Sequence, residues 1–154
     1  MRIPCSPPDW FCVSFRSVRV SQKLEYACRA AACLAKHYDG GAVVKLEDIA
    51  HREDISSSFL VQILNELKRA GLVASKRGKA GGYVLERPPA AISLREVVQA
   101  IEPGLLATPQ DDTGESGPAV THVWTTISRG VLEHLESTSL EAIASNTAAP
   151  MYFI

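Results

Sequence analysis

Several stretches of the chain place apolar residues three and four positions apart, which is the spacing of one face of an α-helix. The first stretch starts behind Ser21, a residue type that caps helix N-termini, and we expect it to stop at Gly40 and Gly41. Its apolar positions are Leu24, Ala27, Cys28, Ala31, Leu34 and Ala35. The pattern therefore predicts an amphipathic first helix.

A pair of helices joined by a turn is predicted next. Leu46, Ile49 and Ala50 indicate a short helix, the letters REDI a turn, and Ser56 the cap of a second helix. The inward stripe of this second helix is Leu60, Ile63, Leu64 and Leu67. Gly71 follows its end, where a left-handed conformation is easiest for glycine.

The outward face of that second helix is polar, and its one carboxylate, Glu66, lies on the flank. The residues of the face are Ser57, Ser58, Val61, Gln62, Asn65, Lys68 and Arg69. Small hydroxyl side chains at the start of a helix let backbone amides approach phosphate. The pair is typical of a helix-turn-helix that enters a DNA major groove, although helical hairpins without a nucleic-acid role show the same pattern.

A basic, glycine-rich loop lies between two short stretches that read as strands. The letters LVASK and YVLER alternate apolar and polar residues on either side of RGKAGG, which predicts a β-hairpin. Helix, helix and hairpin make a winged helix. We expect Arg77 at the tip to enter a minor groove and Lys76 and Lys79 to contact phosphates. The alternative is a hairpin turn whose charges are merely solvated.

Two further helices are predicted towards the C-terminus. Ser93 and Glu96 form a capping box before an apolar stripe that ends at Pro103. A second, longer helix is predicted from Ala119 to about Ser137, with the apolar residues Val120, Trp124, Ile127 and Val131 spaced four, three and four apart. We expect this face to pair with a second subunit, and packing against the first helix is the alternative. A last short helix is expected, capped by Thr138 and Glu141.

The predicted fold class is mainly α with a small β-hairpin. We expect a winged helix-turn-helix domain over residues 18–102, a connector over 103–118 and a dimerisation helix region over 119–145. Residues 1–17 are expected to be a disordered extension, and residues 146–154 a tail. One hypothesis is that Val18 marks the native start.

Charge divides the chain into two unlike parts. Residues 1–95 hold 15 of the 16 Lys and Arg against 9 acids, a net +6, whereas residues 96–154 hold one Arg against 8 acids, a net −7. This asymmetry indicates a front that faces a polyanion. No apolar run is long enough for a membrane helix, and the four cysteines have no zinc-site or disulfide spacing, so we expect a cytoplasmic protein with reduced thiols.

The order of these motifs resembles the Rrf-two family of bacterial winged helix-turn-helix regulators. The resemblance is carried by LKRAGLV, SKRGKAGGY and ISLREVVQAIE, which occur in that order within residues 18–137. It implies a homodimer that binds a palindromic operator as a repressor or an activator, repression being our first expectation. It also implies that Ser57, Ser58, Phe59 and Gln62 lie at the major groove and Lys23 near a phosphate.

The chain departs from the resemblance in two places. Cluster-binding relatives have three cysteines in the connector and then a histidine; here His122 matches, Ala119 is nearest to the last cysteine, and residues 104–118 contain none. Because the connector offers no thiolate, we expect no cofactor. The alternative is an iron-sulfur cluster held from Cys5 and Cys12. Relatives also often have Tyr-Leu-Glu-Gln where this chain has Phe-Leu-Val-Gln at 59–62, so operator preference does not transfer.

Two functional alternatives stay open at this point. The first is an iron-sulfur or redox-sensing regulator, and the second is a winged helix that has become a protein-interaction module, for which the apolar Val61 is the only sign. The sequence does not identify the signal, and a small-molecule effector and a protein effector are both compatible with it. An enzyme is not expected, because the sequence has no phosphate-binding glycine loop, no metal-spaced histidine pair and no nucleophile with a base.

Overall fold

The structure is a computed structural model that describes residues 20–78, 80–105, 107 and 112–146. The described residues form six α-helices and one β-hairpin, in agreement with the predicted fold class. Several expectations fall outside the described residues: those for the extension 1–17, for Lys79, for the connector positions 106 and 108–111, and for the tail from residue 147.

The first helix, α1, covers Gln22–Lys36 and forms the centre of the core. Its cap is confirmed, because the Ser21 side chain accepts a hydrogen bond of 3.1 Å from the backbone N–H of Leu24. The alanines of its buried face leave room for neighbouring helices to approach closely, and α1 packs against four other helices. Its last residue, Lys36, lies four positions before the first of the two glycines that the pattern suggested, and His37 is its C-cap.

The helix-turn-helix consists of α2, Leu46–Glu53, and α3, Ser57–Arg69. The turn between them is made by Asp54, in the left-handed region with φ of 52°, and by the buried Ile55. Ser56 stands at the N-cap position of α3, but its side chain makes no capping hydrogen bond.

Four fully buried side chains hold α3 against the core: Leu60, Ile63, Leu64 and Leu67. Burial of such a side chain stabilises a fold by about 1.5–3 kcal/mol, so this stripe sets the orientation of α3. The helix ends as predicted at Gly71, whose φ is +72°. The amides of Gly71 and Leu72 donate to the carbonyls of Lys68 and Leu67, each over 3.0 Å, in the paired pattern of a glycine C-cap.

The wing is an antiparallel hairpin of β1, Val73–Lys76, and β2, Gly82–Leu85. Val44, in the loop before α2, adds a bridge to Tyr83 with backbone hydrogen bonds of 2.9 and 2.8 Å. A Cβ at Gly82 would lie 2.3 Å from the Val44 carbonyl oxygen, so only glycine admits this approach. The wing is therefore fastened to the body at its base.

After a short 3-10 turn at Pro89–Ala91, α4 covers Leu94–Ile101 and begins with the predicted capping box. The last helix, α6, covers Leu140–Ser145 and buries Leu140 completely. Its start is tied to the start of α4 by two backbone hydrogen bonds: Leu94 donates to Thr138 over 2.7 Å, and Leu140 donates to Ile92 over 2.9 Å.

The cap of α6 differs from the prediction by one residue. The Ser139 side chain accepts from the backbone N–H of Ala142 over 3.1 Å, whereas the Thr138 hydroxyl donates back to the His134 carbonyl over 2.9 Å. The bridge between Ser93 and Ser139 sets this register, since it aligns two chain segments that are distant in sequence.

Between α4 and α6 lies α5, Gly117–Ser137, which starts two residues before the predicted boundary. At 21 residues it is about 31 Å long, and it has no buried residue. Leu135, close to its end, is half-buried against the core. Within the described residues, no helix has the length and apolar character needed to cross a membrane.

Candidate nucleic-acid interface

The outward face of α3 is exposed and polar. Its exposed residues are Ser57, Ser58, Gln62, Asn65, Lys68 and Arg69. The first backbone amides of a helix have no partner within the helix, and the Ser56 side chain does not cap them here. The N-terminus of α3 therefore presents free N–H groups between two exposed hydroxyls, which is chemistry suited to phosphate.

Phe59 is placed differently from its polar neighbours. Its ring is half-buried and meets the ring of Tyr26 on α1 edge to face, with 5.8 Å between centroids and 71° between planes. Tyr26 lies beneath the guanidinium of Arg29, which is 5.4 Å from the ring centroid. Arg29 also pairs with Glu53 at the end of α2, with 3.4 Å between Nε and Oε2. Phe59 thus helps to seat the start of α3 on α1.

Sequence reasoning missed this network of Tyr26, Arg29 and Glu53. All three lie at the margins of apolar stripes, where periodicity distinguishes poorly between surface and core. An aromatic residue at such a margin, as at positions 26 and 59, is the signal that could have revealed it.

Lys23, which the resemblance places near a phosphate, forms an ion pair with Glu66. The distance between Lys23 Nζ and Glu66 Oε2 is 2.8 Å, and the two side chains are 36% and 28% exposed. The pair joins the first turn of α1 to the last turn of α3. It also neutralises the carboxylate that sequence reasoning had noted on the flank of α3.

The wing lies directly beside the end of α3. Lys68 Nζ donates to Ser75 Oγ over 2.7 Å, and Lys76 Nζ donates to the Gly41 carbonyl over 3.3 Å. Arg77 at the hairpin tip is exposed, and among the described residues no acceptor holds its guanidinium. The glycine at 78 follows in the left-handed region with φ of +112°. Together, α3 and the hairpin form a surface rich in cations and amides.

The two thiols on α1 are shielded from solvent, Cys33 being buried and Cys28 half-buried. Burial, with a further contribution from the negative charge of Glu25, raises the pKa of Cys28 to about 11. The pKa of Cys33 is also raised, chiefly by burial and then by the negative charge of Glu53. Since the thiolate is the nucleophile and the metal ligand, neither cysteine has the character of a redox sensor. Cys5 and Cys12 lie outside the described residues.

Taken together, two helices, an exposed polar second helix and a basic hairpin define a winged helix-turn-helix protein. The chain belongs to the Rrf2 family, described as "Iron-dependent Transcriptional regulator", which it matches over residues 20–146. It is therefore a DNA-binding transcriptional regulator and not an enzyme.

Individual relatives agree with this assignment. The chain is 41% identical over 133 residues to the Mycobacterium tuberculosis H37Rv protein Rv1287, whose name is that of an HTH-type transcriptional regulator, with 82% of this chain and 81% of the relative covered. It is 35% identical over 130 residues to the HTH-type transcriptional regulator CymR of Bacillus subtilis, with 84% and 92% covered.

Solved structures show the same fold. The structure of CymR, the global cysteine regulator of B. subtilis, is similar with a TM-score of 0.74 and 35% identity over 85% of this chain and 99% of CymR. The IscR of T. potens is similar with a TM-score of 0.69 and 30% identity over 89% of this chain and 98% of IscR.

The family's description mentions iron, which proteins bind through Cys, His, Asp and Glu side chains placed close together. Residues 104–118 contain no cysteine. His122 is exposed on α5, and the described part of the chain holds no group of three or more His, Cys, Asp and Glu placed to bind a metal ion. The connector and its flanking helices thus do not fit a cluster held by thiolates.

Proposed function

We propose that this protein acts in the cytoplasm as a homodimer that binds a palindromic operator and represses transcription. The observation that carries the proposal is the surface formed by α3 and the hairpin. It is exposed and amide-rich, its carboxylate is neutralised by Lys23, and its two parts are joined by the contact between Lys68 and Ser75. A duplex with its phosphate charge matches such a surface.

Each side chain takes the role that its chemistry suits. Ser57 and Ser58, with the free amides of the first turn, contact a phosphate, and the amide of Gln62 reads a base edge in the major groove. Arg77 enters the minor groove, and Lys76 and Lys79 contact the backbone. Phe59 contributes by holding the start of α3 against Tyr26, and its exposed part is assigned to the major-groove contact.

The exposed apolar face of α5 supports the homodimer. Val120, Val123, Trp124, Ile127 and Val131 are between 41% and 54% exposed. Contiguous exposed apolar surface on a soluble protein marks an interaction site, and a spacing of four and three suits the crossing of two helices. Two identical subunits related by a twofold axis present two recognition helices, which accounts for a palindromic site.

Two observations weigh against the rival functions. A protein-interaction module needs an apolar or acidic outer face on α3, but Val61 is half-buried and Glu66 is paired. A redox sensor on α1 would need a lowered thiol pKa, whereas the pKa values of Cys28 and Cys33 are raised. An absorption spectrum of anaerobically purified protein tests the iron-sulfur alternative, because thiolate-to-iron bands in the visible region would establish it.

DNA binding by the wing is tested after an operator has been selected from genomic fragments. Arg77→Ala should weaken operator binding by about 1–3 kcal/mol in fluorescence anisotropy, because a groove contact is lost. Lys79→Ala should reduce the salt slope by about one unit. Unchanged binding by both variants would remove the wing from the mechanism.

A matched control is available on a surface outside the interface. Lys36→Ala removes an exposed lysine at the far end of α1 from Lys23. This control should bind the operator as the wild type does. A reporter gene behind the operator then tests repression, which predicts higher expression when the regulator is deleted.

A further inference from the structure

Lys23 and Glu66 form an ion pair although each charge lies at the end of its own helix where the helix dipole disfavours it. Lys23 is the second residue of α1, close to the positive end of the helix dipole, and Glu66 is the fourth residue from the end of α3, close to the negative end. Each charge is thus disfavoured by its own helix. The two residues stand where they do because they face each other, with 2.8 Å between Nζ and Oε2.

The pair lies at the edge of the surface to which DNA binding is assigned. Glu66 comes one helical turn after Gln62 and directly after Asn65, both of which are exposed. It is the only acidic residue of α3. The two side chains keep 36% and 28% of their surface exposed, so that an approaching phosphate would meet both charges.

The electrostatic effect on a duplex depends on whether Lys23 is paired. A lysine that neutralises a phosphate releases condensed counterions and adds about 0.9 to the slope of log K against log salt. A lysine already neutralised by a carboxylate adds little to that slope. Removal of the carboxylate would therefore free one cation at the interface.

We infer that Glu66 restrains the sequence-independent affinity of this protein for DNA by holding Lys23 in an ion pair at the α1–α3 edge. The inference rests on the proposed function. Glu66 reads no base, so its effect is the same on every duplex. Discrimination between sequences is left to Gln62 and the other groups that reach base edges.

The test compares Glu66→Gln with the wild type on a random-sequence duplex and on the selected operator, by fluorescence anisotropy across a salt series. Glu66→Gln should steepen the salt slope by about 0.9 and tighten binding roughly five- to tenfold near 0.1 M salt, by the same factor on both duplexes. The double variant Lys23→Met/Glu66→Gln should return to the wild-type slope, because it replaces a neutral pair by a neutral pair.

A matched control changes the same charge elsewhere. Glu141 is exposed on α6 and lines a surface groove together with Lys36, 13 residues along α1 from Lys23, which is about 20 Å of helix. This exceeds the screening length of about 10 Å at 0.1 M salt. Glu141→Gln should therefore leave the slope unchanged.

The outcomes separate this inference from the proposed function. If the wild type ignores every duplex at low salt, the proposed function fails, and the inference fails with it. If the wild type binds but Glu66→Gln shows an unchanged slope or weaker binding at an unaltered melting temperature, only the inference fails. The pair would then be a structural link between α1 and α3. An equal gain for Glu141→Gln would show a net-charge effect and would overturn it too.

Discussion

The body of the molecule and α5 carry the same apolar periodicity with opposite outcomes. On α3 the side chains of Leu60, Ile63, Leu64 and Leu67 are 0% exposed. On α5 the side chains of Val120, Trp124, Ile127 and Val131 are 41–53% exposed. Apolar residues spaced three and four positions apart thus predict that a helix has an apolar face, but they do not predict what packs against that face.

The two regions also differ in what secures them. The body is held by fully buried side chains from α1, α3 and α4, whereas α5 has no buried residue and reaches the core mainly near its end, at Leu135. An ion pair between Arg95 and Glu136, with 2.8 Å between Nη1 and Oε2, joins α5 to α4. The difference supports the proposal that the body folds within one chain and that α5 completes its packing with a second copy.

The largest expected effect separates the two regions directly. Leu64→Ala should reduce the free energy of unfolding by about 2–5 kcal/mol, because it empties a fully buried site. Ile127→Ala should change it by less than about 0.5 kcal/mol, because that side chain is exposed within the subunit. Urea unfolding at low protein concentration measures both, and equal losses would contradict the comparison.

The second effect concerns association of two copies. Trp124→Ala should weaken dimerisation by about 2 kcal/mol or more, or roughly 30-fold in the dissociation constant, because a central tryptophan is a typical interface anchor. Sedimentation velocity over a concentration series measures the change, and His122→Ala on the same helix is the control. A wild-type protein that stays monomeric at all concentrations would refute the dimer.

A smaller effect, dependent on pH, is expected at the start of α4. Burial raises the pKa of Glu96, but the Ser93 backbone N–H and the Arg87 guanidinium outweigh it, so that the pKa lies below its ordinary value of 4.5. The stabilisation is therefore present above pH 4.5 and is lost as the pH falls through the folded-state pKa.

Glu96→Ala should accordingly cost about 1 kcal/mol at neutral pH, as is usual for loss of a helix cap. The difference from the wild type should shrink in unfolding experiments below pH 4.5. Glu133→Ala, an exposed site on α5, should show no loss at any pH. A difference that stays constant with pH would show that the carboxylate charge does not contribute.

The smallest effect tests how α5 is attached. Arg95→Ala should cost less than about 1 kcal/mol, because both partners of the pair are exposed, at 46% and 58%. Leu135→Ala should cost more, about 1–2 kcal/mol, because that side chain is half-buried against the core. Thermal unfolding of the two variants compares them, and the reverse order would make the ion pair the principal attachment.

Much of the fold was predictable because its signals are local. The caps at Ser21 and Ser93, the glycine after α3 and the alternation in the hairpin each act within a few residues, and the structure confirms all four. The cap of α6 was wrong by one residue, since a bridge between Ser93 and Ser139 sets it across 46 positions of the chain.

The candidate interface likewise has features that could be predicted from local spacing and contacts that could not. The exposed polar face of α3 follows from helical spacing, and the structure confirms that Ser57, Ser58 and Gln62 are exposed. The partners of Lys23 and Phe59 could not be predicted, because both contacts join α1 to α3 and depend on how the two helices cross.

From the sequence alone came the order of helices and hairpin, the polar face of α3, the basic wing and the apolar stripe of α5. These follow from backbone geometry, which repeats every few residues and needs no knowledge of distant segments. Only the tertiary structure decided that Lys23 is paired, that Phe59 rests on Tyr26, and that no described part of the same subunit covers the stripe on α5. Such contacts depend on how elements that are distant in sequence pack against each other, and the local spacing of residues does not determine this packing.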